Sequence, residues 1–165
     1  MKPFRRKGDA VVARFVDAEA SIVGLLLDQL EQLLTADPDD VGDDPVIMRL
    51  LPDGHRGDPE LAADYRELTE ASLRSGKADD LAVVRASLPA EGGDVRLDAD
   101  QAAAWLRTSN DLRLALGTRL DISEDTEPPE DVADEEDQQL AVYYWLTALQ
   151  GSLVDALVAS RSGRR

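Results

Sequence analysis

Apolar residues return every three or four positions along three long stretches, and that period predicts helices. In the first, about 18 to 34, Ile22, Val23, Leu25, Leu26, Leu27, Leu30, Leu33 and Leu34 cover more than half the circumference, behind Asp17 as expected N-cap. So wide an arc predicts a helix that is central or covered on two sides. In the second, about 99 to 120, Asp98 is the expected N-cap and Gly117 falls near the end. Ala102, Trp105, Leu106, Leu112, Leu116 and Leu120 share one side of it, with Ser109 among them. In the third, about 138 to 159, Val142, Tyr143, Leu146, Leu149, Leu153 and Leu157 form a face with Trp145 at its edge. Arg113 interrupts the stripe of the second helix. A guanidinium there must find a partner or reach a wet groove, because an unpaired charge in a dry core is costly.

Alternation and turn residues mark the smaller elements. Phe4 to Phe15 predicts a hairpin turning at Gly8-Asp9, with Val11, Val12 and Phe15 as strand formers. A lone two-stranded hairpin is marginal in water, and Val95-Arg96-Leu97, entered from Gly92-Gly93, could supply a third strand. Pro45 to Leu51 predicts a short helix with proline in its first turn. After the turn-rich Pro52 to Gly57, Asp58 is the expected cap of a surface helix with a narrow stripe of Leu61, Tyr65 and Leu68, ending near Leu73. Ser75-Gly76 is expected to break it. A further short helix then carries Leu81, Val84 and Leu88 and stops before Pro89. The fold class is mainly α: three long core helices with a small N-terminal β-hairpin or three-stranded sheet, α+β being the alternative.

Length and charge narrow the picture. The 165 residues suit a single domain, 1–165, with an ordinary apolar core. Cysteine is absent, which removes disulfides, thiolate metal sites, cysteine nucleophiles and thiol switches. The basic start lacks the apolar run of a signal peptide, and no 18-residue apolar segment follows, so a cytoplasmic protein that does not span a membrane is expected. The formal net charge is −16, which disfavours generic contact with nucleic acid or anionic lipid. The sign is unevenly placed. Lys2, Arg5, Arg6, Lys7 and Arg14 outweigh Asp9 at the N-terminus, whereas ten acidic residues lie between 121 and 137. That acidic stretch has little to bury and predicts a solvated, mobile loop.

Candidate chemistry is sparse. His55, the single histidine, shows no partner pattern for a general base and is expected to be an exposed loop residue. Asp53, Asp58 and the acidic runs lack metal-ligand spacing such as that of an EF-hand. No phosphate-binding glycine loop and no nucleophile elbow is present. No catalytic, cofactor-binding or metal residue is therefore assigned, and an enzyme is not expected. Two polar constellations remain. Asn110, Arg113 and Ser109 lie near the core side of the central helix. They serve either as internal structural pairs, Arg113 with a carboxylate or a helix end, or, with Trp105, as a surface for a partner protein. Arg5, Arg6, Lys7 and Arg14, beside Phe4 and Phe15, could contact a nucleic-acid backbone, or could merely guard the edge of a hairpin.

The chain resembles an uncharacterised-domain family of actinobacteria. The resemblance rests on Leu50-Leu51-Pro52-Asp53-Gly54 with Arg56 and Asp58-Pro59, on Arg66 and Leu68-Thr69, and on Ala103-Ala104-Trp105-Leu106. It continues through Asn110-Asp111-Leu112-Arg113-Leu114-Ala115-Leu116-Gly117-Thr118-Arg119-Leu120, the most specific run, and closes on Val142-Tyr143-Tyr144-Trp145-Leu146. Genes of this family often lie beside the adaptor of the Clp protease, and some members are named oxidative-stress transcriptional regulators. The resemblance implies a cytoplasmic, non-enzymatic regulator. The redox sensing attributed to such members uses thiols near the N-terminus; here Arg5 and Asp9 are not cysteines, so this chain has no direct thiol switch. The expected function is regulation through protein–protein interaction, in transcription or proteolysis control. The alternative is a DNA-binding regulator using the basic hairpin.

Overall fold

The computed structural model describes residues 2–41, 43–51 and 59–162. Strand β1 (Lys2–Lys7) turns through Gly8 into β2 (Ala10–Phe15), and α1 (Asp17–Thr35) follows at once. Two short helices, α2 (Pro38–Val41) and α3 (Pro45–Leu50), lead to α4 (Pro59–Ser87). Strand β3 (Gly93–Leu97), α5 (Ala99–Arg119) and α6 (Glu135–Ser162) complete the described residues. The protein is mainly α with one small antiparallel sheet of order β1-β2-β3. The hairpin and its third strand form as their alternation predicts. The connector at 52–58, with Asp53, His55 and the expected cap Asp58, lies outside the described residues.

Period two sorts the sheet into two faces. Val11, Ala13 and Phe15 on β2 pair with Leu97, Val95 and Gly93 on β3, and the side chains among these that can pack are buried on the inner face. Phe4, Phe15, Trp105 and Trp145 meet beneath the sheet, with neighbouring ring centroids 5.4 to 6.3 Å apart. Both phenylalanines and both tryptophans of the chain thus clamp the sheet to α5 and α6. The Phe4 amide also donates to Ser152 Oγ at 3.3 Å. Gly92 allows the tight entry to β3. Its φ is +83°, and a Cβ there would come within 2.7 Å of the Asp17 nitrogen.

Helix α5 is the central element, touching α1, α3, α4, α6 and the sheet. Its start matches expectation: Asp98 accepts from the Gln101 amide at 2.8 Å while Gln101 Oε1 accepts from the Asp98 amide at 2.9 Å. Gly117 falls in the last turn of the helix, near its end as expected, and lets Tyr143 of α6 approach; a Cβ would stand 3.0 Å from that ring.

Four expectations give way. Helix α4 runs unbroken through Ser75-Gly76. A helical glycine costs only about 1 kcal/mol relative to alanine, and contacts on either side of the break outweigh it. Arg74 donates to the Leu33 and Leu34 carbonyls at 3.3 and 3.1 Å, and Lys77 bonds Asp111. Arg74 thereby supplies the cation that the last turn of α1 lacks. The N-cap of α1 is Val16, not Asp17; the Glu19 carboxylate accepts from the Val16 amide at 2.8 Å. Helix α1 is not covered on all its apolar sides either, because Leu25 is 59% exposed. Finally, α6 begins at Glu135, since three acids suit the positive end of a helix. The preceding segment is tied at two points, the Ile122 amide to the Gly117 carbonyl at 2.9 Å and Tyr144 Oη to the Thr126 carbonyl at 2.8 Å.

Candidate interaction surfaces

The polar side chains of α5 divide by the neighbour they face. Toward α4, Trp105 Nε1 donates to Ser87 Oγ at 2.7 Å, and Arg107 grips Asp80 with two bonds of 2.8 and 2.9 Å. Lys77 Nζ lies 2.8 and 2.9 Å from the two oxygens of Asp111, which is only 6% exposed. Burial pushes the Asp111 carboxyl above the usual range, outweighing the opposing pull of Lys77. In such a buried pair desolvation offsets most of the attraction, so the contact adds little net stability.

Toward α6 the arrangement differs. Asn110 Oδ1 accepts from Arg113 Nη2 at 3.2 Å and from Gln150 Nε2 at 3.3 Å. Arg113 is half-buried, and its Nε is fully buried with no hydrogen-bond partner. The expected carboxylate or helix-end partner of Arg113 is not found among the described residues. The wheel placed Arg113 in the apolar stripe; the structure places it on the seam between α5 and α6, outside the driest part. Donor and acceptor capacity is left over, and the guanidinium fork suits a planar carboxylate.

The other candidates separate. Trp105 is 1% exposed and takes a core role, so it offers no surface to a partner in this fold. Ser109 is likewise buried. On the sheet, Arg5, Lys7 and Arg14 stand on the outer face, with Arg14 making a long 3.4 Å contact to Asp94. Arg6 does not join them. It pairs in register with Val11, on the inner side, and folds back so that Nε donates to the Gly8 carbonyl at 2.6 Å. Arg96 replaces it, because the register brings Arg5, Val12 and Arg96 into one row across the three strands. The four cations Arg5, Lys7, Arg14 and Arg96 line an open groove of about 380 Å³. A second groove of about 300 Å³ runs between α1 and α4 over Leu34, Ala78, Leu81 and Ala82. Among the described residues no cluster of three or more His, Cys, Asp or Glu is placed to hold a metal ion. No helix among them is long and apolar enough to cross a membrane.

Residues 1–157 match the domain-of-unknown-function family DUF2017. The chain belongs to that family. It is 32% identical over 167 aligned residues to a Mycobacterium bovis protein named oxidative stress regulator AosR, across 92% of this chain and 75% of that one. A protein of the same name in Mycobacterium tuberculosis matches with the same identity and coverage. The family resemblance drawn from the runs around 50–59, 103–106, 110–120 and 142–146 therefore holds. No solved structure matches the chain.

Proposed function

We propose that this protein is a non-enzymatic regulator that works by binding another protein, and that Asn110, Arg113 and Gln150 form the contact. One observation carries this: Arg113 is a half-buried guanidinium whose one side-chain hydrogen bond among the described residues goes to Asn110, a neutral group. The chain holds 34 acidic residues against 18 basic ones, yet no carboxylate reaches Arg113 among the described residues. Four other cations of α4 and α5 are paired, Arg74 with Glu70, Lys77 with Asp111, Arg85 with Asp28 and Glu31, and Arg107 with Asp80, whereas Arg119 at the end of α5 is exposed and has no ionic partner among the described residues. An acidic side chain from a partner would accept charge-assisted hydrogen bonds from the Arg113 Nη groups. The regulator names of the mycobacterial relatives support the class of function. We infer that it acts in transcription or proteolysis control, in the cytoplasm. The test compares Arg113→Met with wild type by affinity capture and quantitative mass spectrometry. A partner depleted about tenfold or more by the substitution supports this function, one tenfold step being about 1.4 kcal/mol of binding.

The open basic sheet face favours a second reading, contact with duplex DNA through Arg5, Lys7 and Arg14. Affinity would then fall steeply between about 50 and 200 mM salt, as released counterions dictate. With a net charge of −16, no measurable affinity is expected at physiological salt.

A further inference from the structure

We propose that the outer face of the sheet binds the acidic segment preceding α6 of a second copy of this chain, joining copies head to tail. Two unpaired sets of charge carry the inference, and it stands independently of the Arg113 contact. Among the described residues, no carboxylate pairs with Arg5, Lys7 or Arg96, although all three stand exposed on one face. Between 121 and 134 seven carboxylates are exposed, and among the described residues none of them has an ionic partner. The two sets sit at opposite ends of the central helix. Arg96 lies three residues before α5 and Asp121 two residues after it, with 21 helical residues between, about 30 Å of rise.

The acidic segment is held at its own end. Ile122 is bonded to Gly117 and Thr126 to Tyr144, which follows the ring seated against Gly117. The segment therefore stays at the end of α5 remote from its own sheet, and the basic face its exposed carboxylates meet is that of another molecule. Guanidinium forks at Arg5 and Arg96, one strand to either side of Val12, present two carboxylate-binding heads in a row. A second copy is favoured over DNA by the range of the forces. At about 0.15 M salt the screening length is about 8 Å, so the docked copy feels the basic face and little of the total charge beyond it. A long duplex would lie against the surrounding acidic surface as well. Sheet-to-loop contact is heterologous, so it closes into a ring or continues as a chain, not as a two-fold dimer.

Sedimentation velocity at about 150 mM salt reads the association; at about 500 mM it should weaken at least tenfold as screening tightens. The variant Arg5→Glu/Arg96→Glu should be monomeric. So should a variant whose seven carboxylates are changed to Asn or Gln. Circular dichroism confirms that both fold. Mixed in equal amounts, the two variants should form a one-to-one pair, since one retains the loop and the other retains the sheet. Wild type that stays monomeric up to about millimolar concentration overturns the proposal. So does a mixture that fails to pair while wild type associates, because the interface then lies elsewhere. Steeply salt-dependent binding of a fluorescent DNA duplex by wild type, lost in Arg5→Glu/Arg96→Glu, would assign the face to nucleic acid instead.

Discussion

Replacing Arg113 with methionine separates an open contact from an internal brace. Had Arg113 been paired with a buried carboxylate, the substitution would strand that charge and cost about 3 to 5 kcal/mol. The structure gives a different ledger. One hydrogen bond to Asn110, of 3.2 Å, is lost, worth about 0.5 to 1.5 kcal/mol. One buried Nε–H without a partner is removed, relieving a penalty of about 1 to 3 kcal/mol. Methionine keeps most of the apolar stem, so the packing contribution is small. The expected outcome lies between a loss of about 0.5 kcal/mol and a gain of about 2.5 kcal/mol relative to wild type. A urea melt reads this directly. With m of about 1 to 3 kcal/mol/M for a protein of this size, the midpoint should fall by no more than about 0.5 M, or rise, and m should not change. A loss above about 3 kcal/mol would mean that Arg113 is bound to a buried acid, and the open-contact account would fall.

Asp111 supplies a pH prediction. Its carboxyl is raised by burial, so the folded state holds the proton more tightly than the unfolded chain. Stability should then fall as pH rises from the unfolded carboxylate value to the raised folded one, and Asp111→Asn should remove that fall in melts taken across the acidic range. Gly92→Ala should cost more than about 2 kcal/mol in a urea melt, since it combines a positive φ with a backbone clash; an unchanged midpoint would show that the turn can relax. Residues 121–134 should exchange their amides fast, and an eight-residue Gly/Ser replacement should change stability by less than about 2 kcal/mol. A larger loss would mean that the Ile122 and Thr126 ties anchor a packed segment.

Much of the fold is legible along the chain because apolar spacing carries it. The three long helices, the hairpin and the third strand all follow from periods of 3.6 and 2 with ordinary turn residues. The unbroken α4 is not legible: Ser75-Gly76 looks like a stop, and only the contacts of Arg74 and Lys77 with other helices show why it is not. Arg113 illustrates a second limit. A helical wheel reports which side a residue occupies but not which neighbour lies there, so the seam with α6 and Gln150 stays hidden. Arg96 illustrates a third. It joins Arg5 on one face only once the strands are paired, and the same pairing removes Arg6 from that face.

Site-specific photocrosslinking from position 150 in native cell extract tests the proposed contact most directly. A photoreactive group in place of Gln150, beside Asn110 and Arg113, should join the chain to a defined protein partner. The same crosslink should disappear when Arg113→Met is added to a protein whose melt is unaltered. Recovery of the same crosslinked partner with and without Arg113 would contradict the claim that this seam is where the protein binds its partner.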